Sequence, residues 1–305
     1  MGGEGREQKD LSVGYRTLAV VVPLYGLALI VYFVRIWTRI RPKYRLNAAD
    51  HTITVAFLAE TISIILSIVA VSWGFGRPPS QLSTTENEII GCTTFIVFVI
   101  ALWASAFARI SISCLLLQIT QDRVWRHLLW FSVAFQGVAL AACDICQLAQ
   151  CRPIRALWAP VPDKVCVPTD QILIVAWVFS GISIVSDIIC AVFPILLIWR
   201  LSRSPVEKAL ISVLMGLGLL AAFAGVFKVL VLRSFNPMSE NVVGDMMPAY
   251  MWIRIEEILL IIAACAPFLK SPVESLLHRH LGLPLIGAPA IRDGNTASWN
   301  TKLGP

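Results

Sequence analysis

The chain has 305 residues, of which 57% are apolar and only 14% charged, and its mean hydropathy is +0.75. Because a soluble domain carries about 25% charged residues, this composition excludes an ordinary soluble fold and indicates a surface in contact with lipid. The net charge of +6 is then expected on loops beside anionic lipid. Nucleic-acid binding is not expected, since no basic run is interleaved with aromatic residues in a soluble segment.

The first 17 residues are polar, and no cleavable signal peptide precedes the first apolar stretch, so this stretch is predicted to be a retained helix. Crossing the hydrocarbon core takes about 20 residues of helix. Stretches that meet this length follow one another along the chain, and the loops between them are short and rich in Pro, Gly and charge. The predicted spans are Leu18–Trp37, His51–Trp73, Ile89–Leu117, Leu128–Ala149, Ile172–Trp199, Ala209–Leu232 and Tyr250–Leu269.

These spans predict an all-α, polytopic membrane protein with a seven-transmembrane helix bundle in residues 18–275. The polar segment 1–17 precedes the bundle, and the Gly- and Pro-rich tail 276–305 is expected to be disordered. Cytosolic loops of membrane proteins carry an excess of Lys and Arg. The largest such cluster, RIWTRIRPKYR, follows the first span directly, which predicts the N-terminus outside and the C-terminus in the cytosol.

Three of the eight cysteines lie on the predicted outer side, which is an oxidising environment. Cys151 and Cys166 bracket a single loop, CRPIRALWAPVPDKVC, and a disulfide between them would stiffen it. Two free thiols are the alternative, and Cys92 at the outer end of the third span is a rival partner. Cys143 and Cys146 form a C-x-x-C pair, but no metal site is expected because no histidine lies inside a helix.

Ionisable residues occur inside the predicted spans, where each costs about 2.5–3.5 kcal/mol on insertion scales and usually faces a partner in the bundle. Depth counted from the predicted helix ends divides them into two layers. One interpretation is that both layers are ion pairs that fix helix packing. The other makes the outer layer a ligand or substrate pocket under the loop between Cys151 and Cys166, and the inner layer a switch or a structural lock. The outer layer contains Asp144, Lys228, Arg254, Glu256 and Glu257, and the inner layer contains Glu60, Arg109 and Asp187.

The outer layer predicts a binding site for a lipophilic small molecule. Trp252 lies one turn from Glu256, so both can face the same side of the seventh helix. Together with Lys228 and Asp144 they are expected to line an outward-facing cavity for a mostly apolar ligand with one polar group. The alternative is a Lys228–Glu256 pair that only fixes helix packing.

Small residues crowd the sixth predicted helix in the run GLGLLAAFAG. Glycine and alanine at a helix interface allow two backbones to approach closely. Close approach of this helix to a neighbour is therefore expected, and a lining for a flat ligand is the less favoured alternative. The small residues are Gly216, Gly218, Ala221, Ala222 and Gly225.

Two motifs carry a family resemblance. Cys151, Pro153, Trp158 and Cys166 match the pattern C-x-P-x(4)-W…C, and Trp252-x-x-x-Glu256 is followed by Cys265-Ala-Pro267. On these residues the chain resembles the fungal rhodopsin-like family of seven-helix integral membrane proteins. That family includes receptor-like proteins of the fungal plasma membrane and membrane proteins encoded beside mycotoxin genes, such as the satratoxin cluster. Supporting matches are Asp50, Gly74, Gly76, Arg109, Ser111, Asp187, Pro194, Lys208, Gly216 and Lys228.

The resemblance covers roughly residues 18–275 and implies a Cys151–Cys166 bridge and a multi-pass location in the plasma membrane or an endomembrane. The chain departs from the family's pattern at Ala49, where a second acid often precedes Asp50, and at Gln118, where an arginine often ends the third helix. The family's name does not imply retinal here. A Schiff base needs a lysine midway along the seventh helix, whereas Lys270 lies at its end and Lys228 lies in the sixth helix. No cofactor is therefore expected.

Two functions of different classes fit these observations. The first is a receptor-like protein, or an accessory protein of secondary metabolism, that binds a small molecule without transforming it. The second is a membrane-embedded enzyme of the acid-catalysed cyclase type, with Asp144, Glu256 and Glu257 as the candidate acids. A transporter is less favoured, because no inverted repeat or broken helix is evident. The cytosolic loop RLSRSPVEK is short for docking a signalling partner, so no such partner can be named.

Overall fold

The computed structural model describes residues 4–40, 47–120, 122–198, 205–234 and 242–269. Two short strands, β1 (Cys151–Arg152) and β2 (Val165–Cys166), form a small antiparallel hairpin. Short 3-10 helices lie at Pro79–Gln81, Ile154–Leu157 and Ala266–Leu269. The α-helices in the described ranges are α1 (Glu4–Ile40), α2 (Ala48–Ser72), α3 (Thr84–Ile119), α4 (Arg123–Leu148), α5 (Thr169–Ile198), α6 (Pro205–Arg233) and α7 (Val242–Cys265).

The outer surface of this bundle is apolar, as a lipid environment requires. Six of the described helices are long and apolar enough to cross a membrane. Large side chains such as Ile30, Phe33, Phe131 and Val138 point outward and are more than half exposed. An apolar surface of this extent would be unstable in water. The chain is therefore an integral, multi-pass membrane protein with an all-α fold, as predicted.

The helix α7 is not among these six, and besides Asp245 in its first turn it carries three ionisable residues further along, Arg254, Glu256 and Glu257. All three side chains are buried against other helices rather than facing lipid. Burial of this kind is how a charged helix is accommodated in a membrane bundle. The crossing of α7, the seventh predicted span, stays a prediction.

The orientation of the bundle also stays a prediction, since much of the basic sequence behind it lies outside the described residues. The same holds for the predicted tail, residues 276–305. Arg35, the first residue of the basic cluster RIWTRIRPKYR, lies within the described part. It is completely buried, so it does not add to the charge of the loop that follows the first span. The basic residues outside the described ranges are Arg41, Lys43, Arg45, Arg200, Arg203, Lys270, Arg279, Arg292 and Lys302.

Reporter fusions placed after each helix test the orientation. With the N-terminus outside, fusions after α1, α3 and α5 should report from the cytosol. A fusion in the loop between Cys151 and Cys166 should report from the opposite side. A cytosolic signal from that loop would reverse the orientation.

Local sequence explains where several helices begin and end. Ser83 accepts a hydrogen bond from the backbone N–H of Glu86, whose carboxylate accepts from the Ser83 backbone at 2.8 Å, so α3 starts with a capping box. At the end of α2, Gly74 and Gly76 take φ values of +100° and +109°, which favour glycine. The α7 helix stops at Cys265 because Pro267 has no N–H to donate, and the chain continues as a 3-10 turn.

Two helices begin well before their predicted starts. The helix α1 begins at Glu4 rather than Leu18, so the polar segment predicted as a separate N-terminal tail is largely helical. This part of α1 packs against the end of α2: a side chain at Gly14 would meet the Phe75 carbonyl oxygen at 2.7 Å. The helix α7 begins at Val242 rather than Tyr250. This shift places Glu256 near the middle of the helix rather than in its outer third.

The glycines of α6 do allow close approach, as predicted, and the neighbour is α5. A Cβ atom at Gly218 would lie 2.9 Å from Cβ of Ala191, and one at Gly225 would lie 2.9 Å from Cγ1 of Ile184. Gly216 is different, since nothing lies within 4 Å of its would-be Cβ. Only two of the three glycines are therefore required at the helix contact.

Substitution of these glycines should show the difference. We expect Gly225→Val to lower the free energy of unfolding by about 1–3 kcal/mol, because the added atoms overpack the contact with Ile184. The matched control is Gly216→Ala, which should be neutral or slightly stabilising because alanine favours helix. Thermal unfolding in detergent measures both. Equal melting temperatures for Gly225→Val and the wild type would contradict a close contact at Gly225.

Candidate functional site

A cavity of about 250 Å³ runs from the hairpin end of the bundle toward its middle. Near the hairpin it is lined by Gln150 and Ile172, and its deepest part is lined by Lys228, Glu256 and Glu257. The walls between are mostly apolar, so a charged floor lies beneath an apolar shaft. The apolar wall residues include Phe98, Ala101, Leu102, Val175, Ala176, Phe179, Leu232, Met246 and Ile253.

The hairpin beside this cavity is held by a disulfide. Cys151 and Cys166 face each other in the two-stranded ladder and are bonded, which confirms the predicted bridge over the two free thiols. Cys92, the rival partner, is free. Trp158 anchors the hairpin on α3, because its ring lies 5.5 Å from that of Phe95 and its Cβ packs on Gly91.

Peptide mapping without reductant tests the bridge chemically. Proteolysis of the purified protein should release Cys151 and Cys166 in one linked fragment, which separates on reduction. A bridge closing a loop of this length contributes about 3 kcal/mol in the chain-entropy model. Recovery of Cys92 linked to either cysteine would contradict the pairing.

Glu256 is the centre of the charged floor. Its Oε1 accepts hydrogen bonds from Arg109 Nη2 at 3.1 Å and Ser183 Oγ at 2.6 Å, and its Oε2 accepts from Lys228 Nζ at 2.7 Å. Arg109 also donates from Nε to Asp187 Oδ1 at 2.8 Å. One carboxylate of α7 is thus joined to α3, α5 and α6. Two cations and two acids balance within this group.

A second group lies on the other side of α7. Arg254 donates from Nη1 to Glu257 Oε2 and from Nη2 to Glu60 Oε1, both at 2.5 Å. All three side chains are almost completely buried. Ser67 and Tyr250 share a short hydrogen bond nearby, which joins α2 to α7 again. This group has one cation for two acids.

The structure corrects the predicted division into an outer and an inner layer. Glu256, assigned to the outer layer, binds Arg109 and lies beside Asp187 of the inner layer. Arg254, also assigned to the outer layer, binds Glu60 of the inner layer. The depth of a residue was counted from the predicted start of its helix, and α7 starts at Val242 rather than Tyr250. Apart from Asp144, the ionisable residues of both predicted layers therefore meet in these two groups.

Two predicted pocket residues do not line the cavity. The face of α4 that lines the cavity carries Cys143, Cys146 and Gln147, and Asp144 lies about 100° away from Cys143 around the helix. Asp144 instead accepts a hydrogen bond from Trp103 Nε1 at 3.0 Å.

Trp252 is the second of these residues. It stacks on Phe227 of α6, with ring centroids 4.9 Å apart, and lies outside the lining. It is on the α6 side of α7, as is Glu256, but at the surface of the bundle. Of the four predicted ligand-binding residues, Lys228 and Glu256 line the cavity and Asp144 and Trp252 do not, and ligand binding there stays a prediction.

Sequence reasoning missed a third group of buried charges, at the opposite end of the bundle. Arg35 donates to Asp50 Oδ1 at 2.9 Å and to the backbone oxygens of Ala49 and Ala264 at 2.9 and 2.7 Å. Its guanidinium also lies 4.3 Å from the centre of the Phe268 ring. These contacts tie α1, α2 and α7 together. The available signal was Asp50 at the start of α2, an acid in need of a partner.

The cavity does not fit a retinal Schiff base. From Val242 to Cys265, α7 contains no lysine. Lys228 lines the cavity from α6, and its Nζ is held 2.7 Å from Oε2 of Glu256. Within the described residues no group of three His, Cys, Asp or Glu could hold a metal ion.

Comparisons with known proteins agree with this architecture. The chain is similar to a polyenoic acids biosynthesis gene cluster protein of Metarhizium anisopliae, with 22% identity over 306 residues, covering 92% of this chain and 78% of that protein. It is also similar to a SAT4 family membrane protein of Emericella nidulans, with 28% identity over 145 residues, covering 47% of this chain and 34% of that protein. No solved structure matches. The Fungal rhodopsin domain matches residues 34–275, and the chain therefore belongs to the fungal rhodopsin family.

Proposed function

We propose that this protein binds a lipophilic small molecule in the cavity lined by the helices α3 to α7, as a receptor-like or accessory protein of fungal secondary metabolism. The observation that carries the proposal is the form of the cavity. An apolar shaft ends at a charged floor of Lys228, Glu256 and Glu257, which is how sites for mostly apolar ligands with one polar group are built. With the N-terminus outside, the cavity faces outward.

The related proteins support the pathway part of this proposal. One relative is named for a polyenoic acids biosynthesis gene cluster. An accessory role of this chain in a secondary-metabolite pathway, including a mycotoxin pathway, follows by analogy. The ligand is then a pathway intermediate or product, and the membrane is the compartment in which such molecules accumulate.

Filling the cavity tests the proposal. Ala176 lies on the cavity wall, so Ala176→Phe should occupy the shaft and abolish the effect of the protein on the metabolite profile of its host strain. Val178, on the same helix, is 55% exposed and points outward, so Val178→Phe is the matched control. Protein abundance is measured in both strains. If Ala176→Phe is present at the normal level and the profile is unchanged, the cavity is not the functional site.

Cysteine labelling gives a readout in the purified protein. Cys146 is free and lines the cavity. Methyl methanethiosulfonate should modify it in the wild type, and Ala176→Phe should slow this modification at least several-fold. An equal rate in the two proteins would mean that the shaft is not accessible to small molecules.

One observation, the position of Glu257, favours the alternative function of a membrane-embedded enzyme that uses a buried acid. Of its three candidate acids, Asp144 lies outside the cavity and Glu256 already accepts three hydrogen bonds. Glu257 lines the cavity and accepts a hydrogen bond from Arg254, a donor that it shares with Glu60. An acid catalyst would have to be Glu257. Conversion of an added pathway intermediate by the purified wild type, and not by Glu257→Gln, would favour the enzyme.

A further inference from the structure

The buried charges around the cavity floor do not balance. Their two groups meet at α7, where Glu256 belongs to one and Glu257 to the other. If all were ionised, the set would carry one net negative charge, and an uncompensated buried charge costs several kcal/mol. One proton or one cation must therefore accompany them. The cations are Arg109, Lys228 and Arg254, and the acids are Glu60, Asp187, Glu256 and Glu257.

The contacts of the four acids show where this extra positive charge belongs. Glu256 and Asp187 form the balanced group with Arg109 and Lys228. The excess acid is thus Glu60 or Glu257, which share the single cation Arg254.

Only one of these two acids reaches the cavity. Glu60 is completely buried and does not line it, whereas Glu257 does. A proton or cation from solvent must arrive through the cavity, so Glu257 is the site of exchange. The charged and titratable groups that act on it are Arg254 and Glu256 of α7, Glu60 of α2 and Lys228 of α6, with Tyr250 two turns away.

We propose that the ligand's polar group is a cation, an ammonium group on a lipophilic molecule, and that it replaces the proton held by Glu257. The proton leaves to solvent as the ammonium enters, so the charge of the site is unchanged. This inference rests on the proposed function, because it assumes that the cavity binds a small molecule. It names the class of ligand that the cavity selects.

The rest of the lining agrees with a cationic ligand. Phe98, Phe179 and Tyr250 present aromatic rings to the cavity, and aromatic faces attract ammonium groups by cation–π interaction. A carboxylate ligand would find no free cation, because Lys228 is bound to Glu256 and Arg254 to two acids. It would also add negative charge to a site that already has an excess. The site therefore discriminates against anions.

Three probes with one apolar part test this: 4-phenylbutyl-trimethylammonium, 4-phenylbutan-1-ol and 5-phenylpentanoate. Each is titrated into the full chain in lipid nanodiscs by calorimetry, in two buffers with different heats of ionisation. The ammonium probe should bind about tenfold or more tightly than the other two. It should release about one proton per molecule bound, and its affinity should rise with pH because protons compete for Glu257. The alcohol should release no proton.

Glu257→Gln should lose both the proton release and the preference for ammonium, and keep the alcohol affinity. The amide oxygen can still accept a hydrogen bond from Arg254. Without a charge at position 257, the three buried cations face three acids, with Glu60 as the partner of Arg254, so we expect this variant to fold. Asp144→Asn is the matched control, since Asp144 lies on α4 outside the lining, and it should behave as the wild type.

The outcomes separate the inference from the proposed function. If the alcohol binds but the ammonium is not preferred, or if the carboxylate binds as tightly, the cationic ligand is wrong and the cavity remains a binding site. Ammonium binding without proton release from the wild type, or with release retained in Glu257→Gln, also overturns the inference. If none of the probes binds, the proposed function fails with it.

Discussion

Arg254→Met is expected to prevent the protein from reaching its folded state. The guanidinium is 1% exposed and is the shared partner of Glu60 and Glu257. Methionine fills much of the same space but leaves Glu60 and Glu257 buried without a cation. Removing one partner of a buried ion pair costs about 3–5 kcal/mol, which is a large part of the stability of a typical domain. Size-exclusion profiles in detergent should show aggregated protein and little monodisperse material.

Two further variants make this expectation specific. Arg155→Met removes an arginine that is exposed in the hairpin loop, so it should leave the profile unchanged. The triple variant Arg254→Met, Glu60→Gln, Glu257→Gln removes both acids together with the cation and should recover monodisperse protein. A stable single variant would mean that the three residues do not form a buried group.

Glu256→Gln is expected to have the second-largest effect. The carboxylate accepts hydrogen bonds from Arg109, Ser183 and Lys228, and it joins α7 to three other helices. An amide would leave the ammonium of Lys228 buried beside an N–H₂ group or a neutral oxygen. The expected loss is about 3–5 kcal/mol, seen as a lower melting temperature in detergent. Lys228→Met in the same background should restore part of the loss, because the unpaired charge is removed.

The same variant separates a packing pair from a binding site. If Glu256 only fixes the helices, the metabolite phenotype should fall in proportion to protein abundance. If Glu256 also contacts the ligand, the double variant Glu256→Gln, Lys228→Met should restore abundance and still lack the phenotype. Restoration of both would show that the pair serves packing alone.

The sequence predicted the helices and the loop that the disulfide closes, since both depend on local chemistry, whereas the two strands of that loop were seen only in the structure. Apolar runs long enough to cross a membrane have few alternatives to helix, because lipid offers no partner for an unpaired backbone group. Cys151 and Cys166 bracket one short loop, and in the structure they face each other across its two strands. The close approach at Gly218 and Gly225 followed likewise from side-chain size.

The partners of the buried charges were decided only by the tertiary structure. Sequence showed that Glu60, Arg109, Asp187, Arg254 and Glu256 need partners, but the pairs combine residues from different helices. Such pairs depend on where each helix starts and how it is rotated about its axis. Because α7 begins eight residues before its predicted start, Glu256 lies deeper in the bundle than predicted and reaches Arg109.

The rotation of α4 and of α1 about their own axes likewise decided which residues their charged side chains contact. A difference of about 100° between consecutive residues puts Cys143 at the cavity and leaves Asp144 with Trp103. The Arg35 side chain lies among α1, α2 and α7 although its neighbours in sequence form a basic run. Composition requires that charges in a membrane bundle be paired, and only the packing of the seven helices determines with which residue.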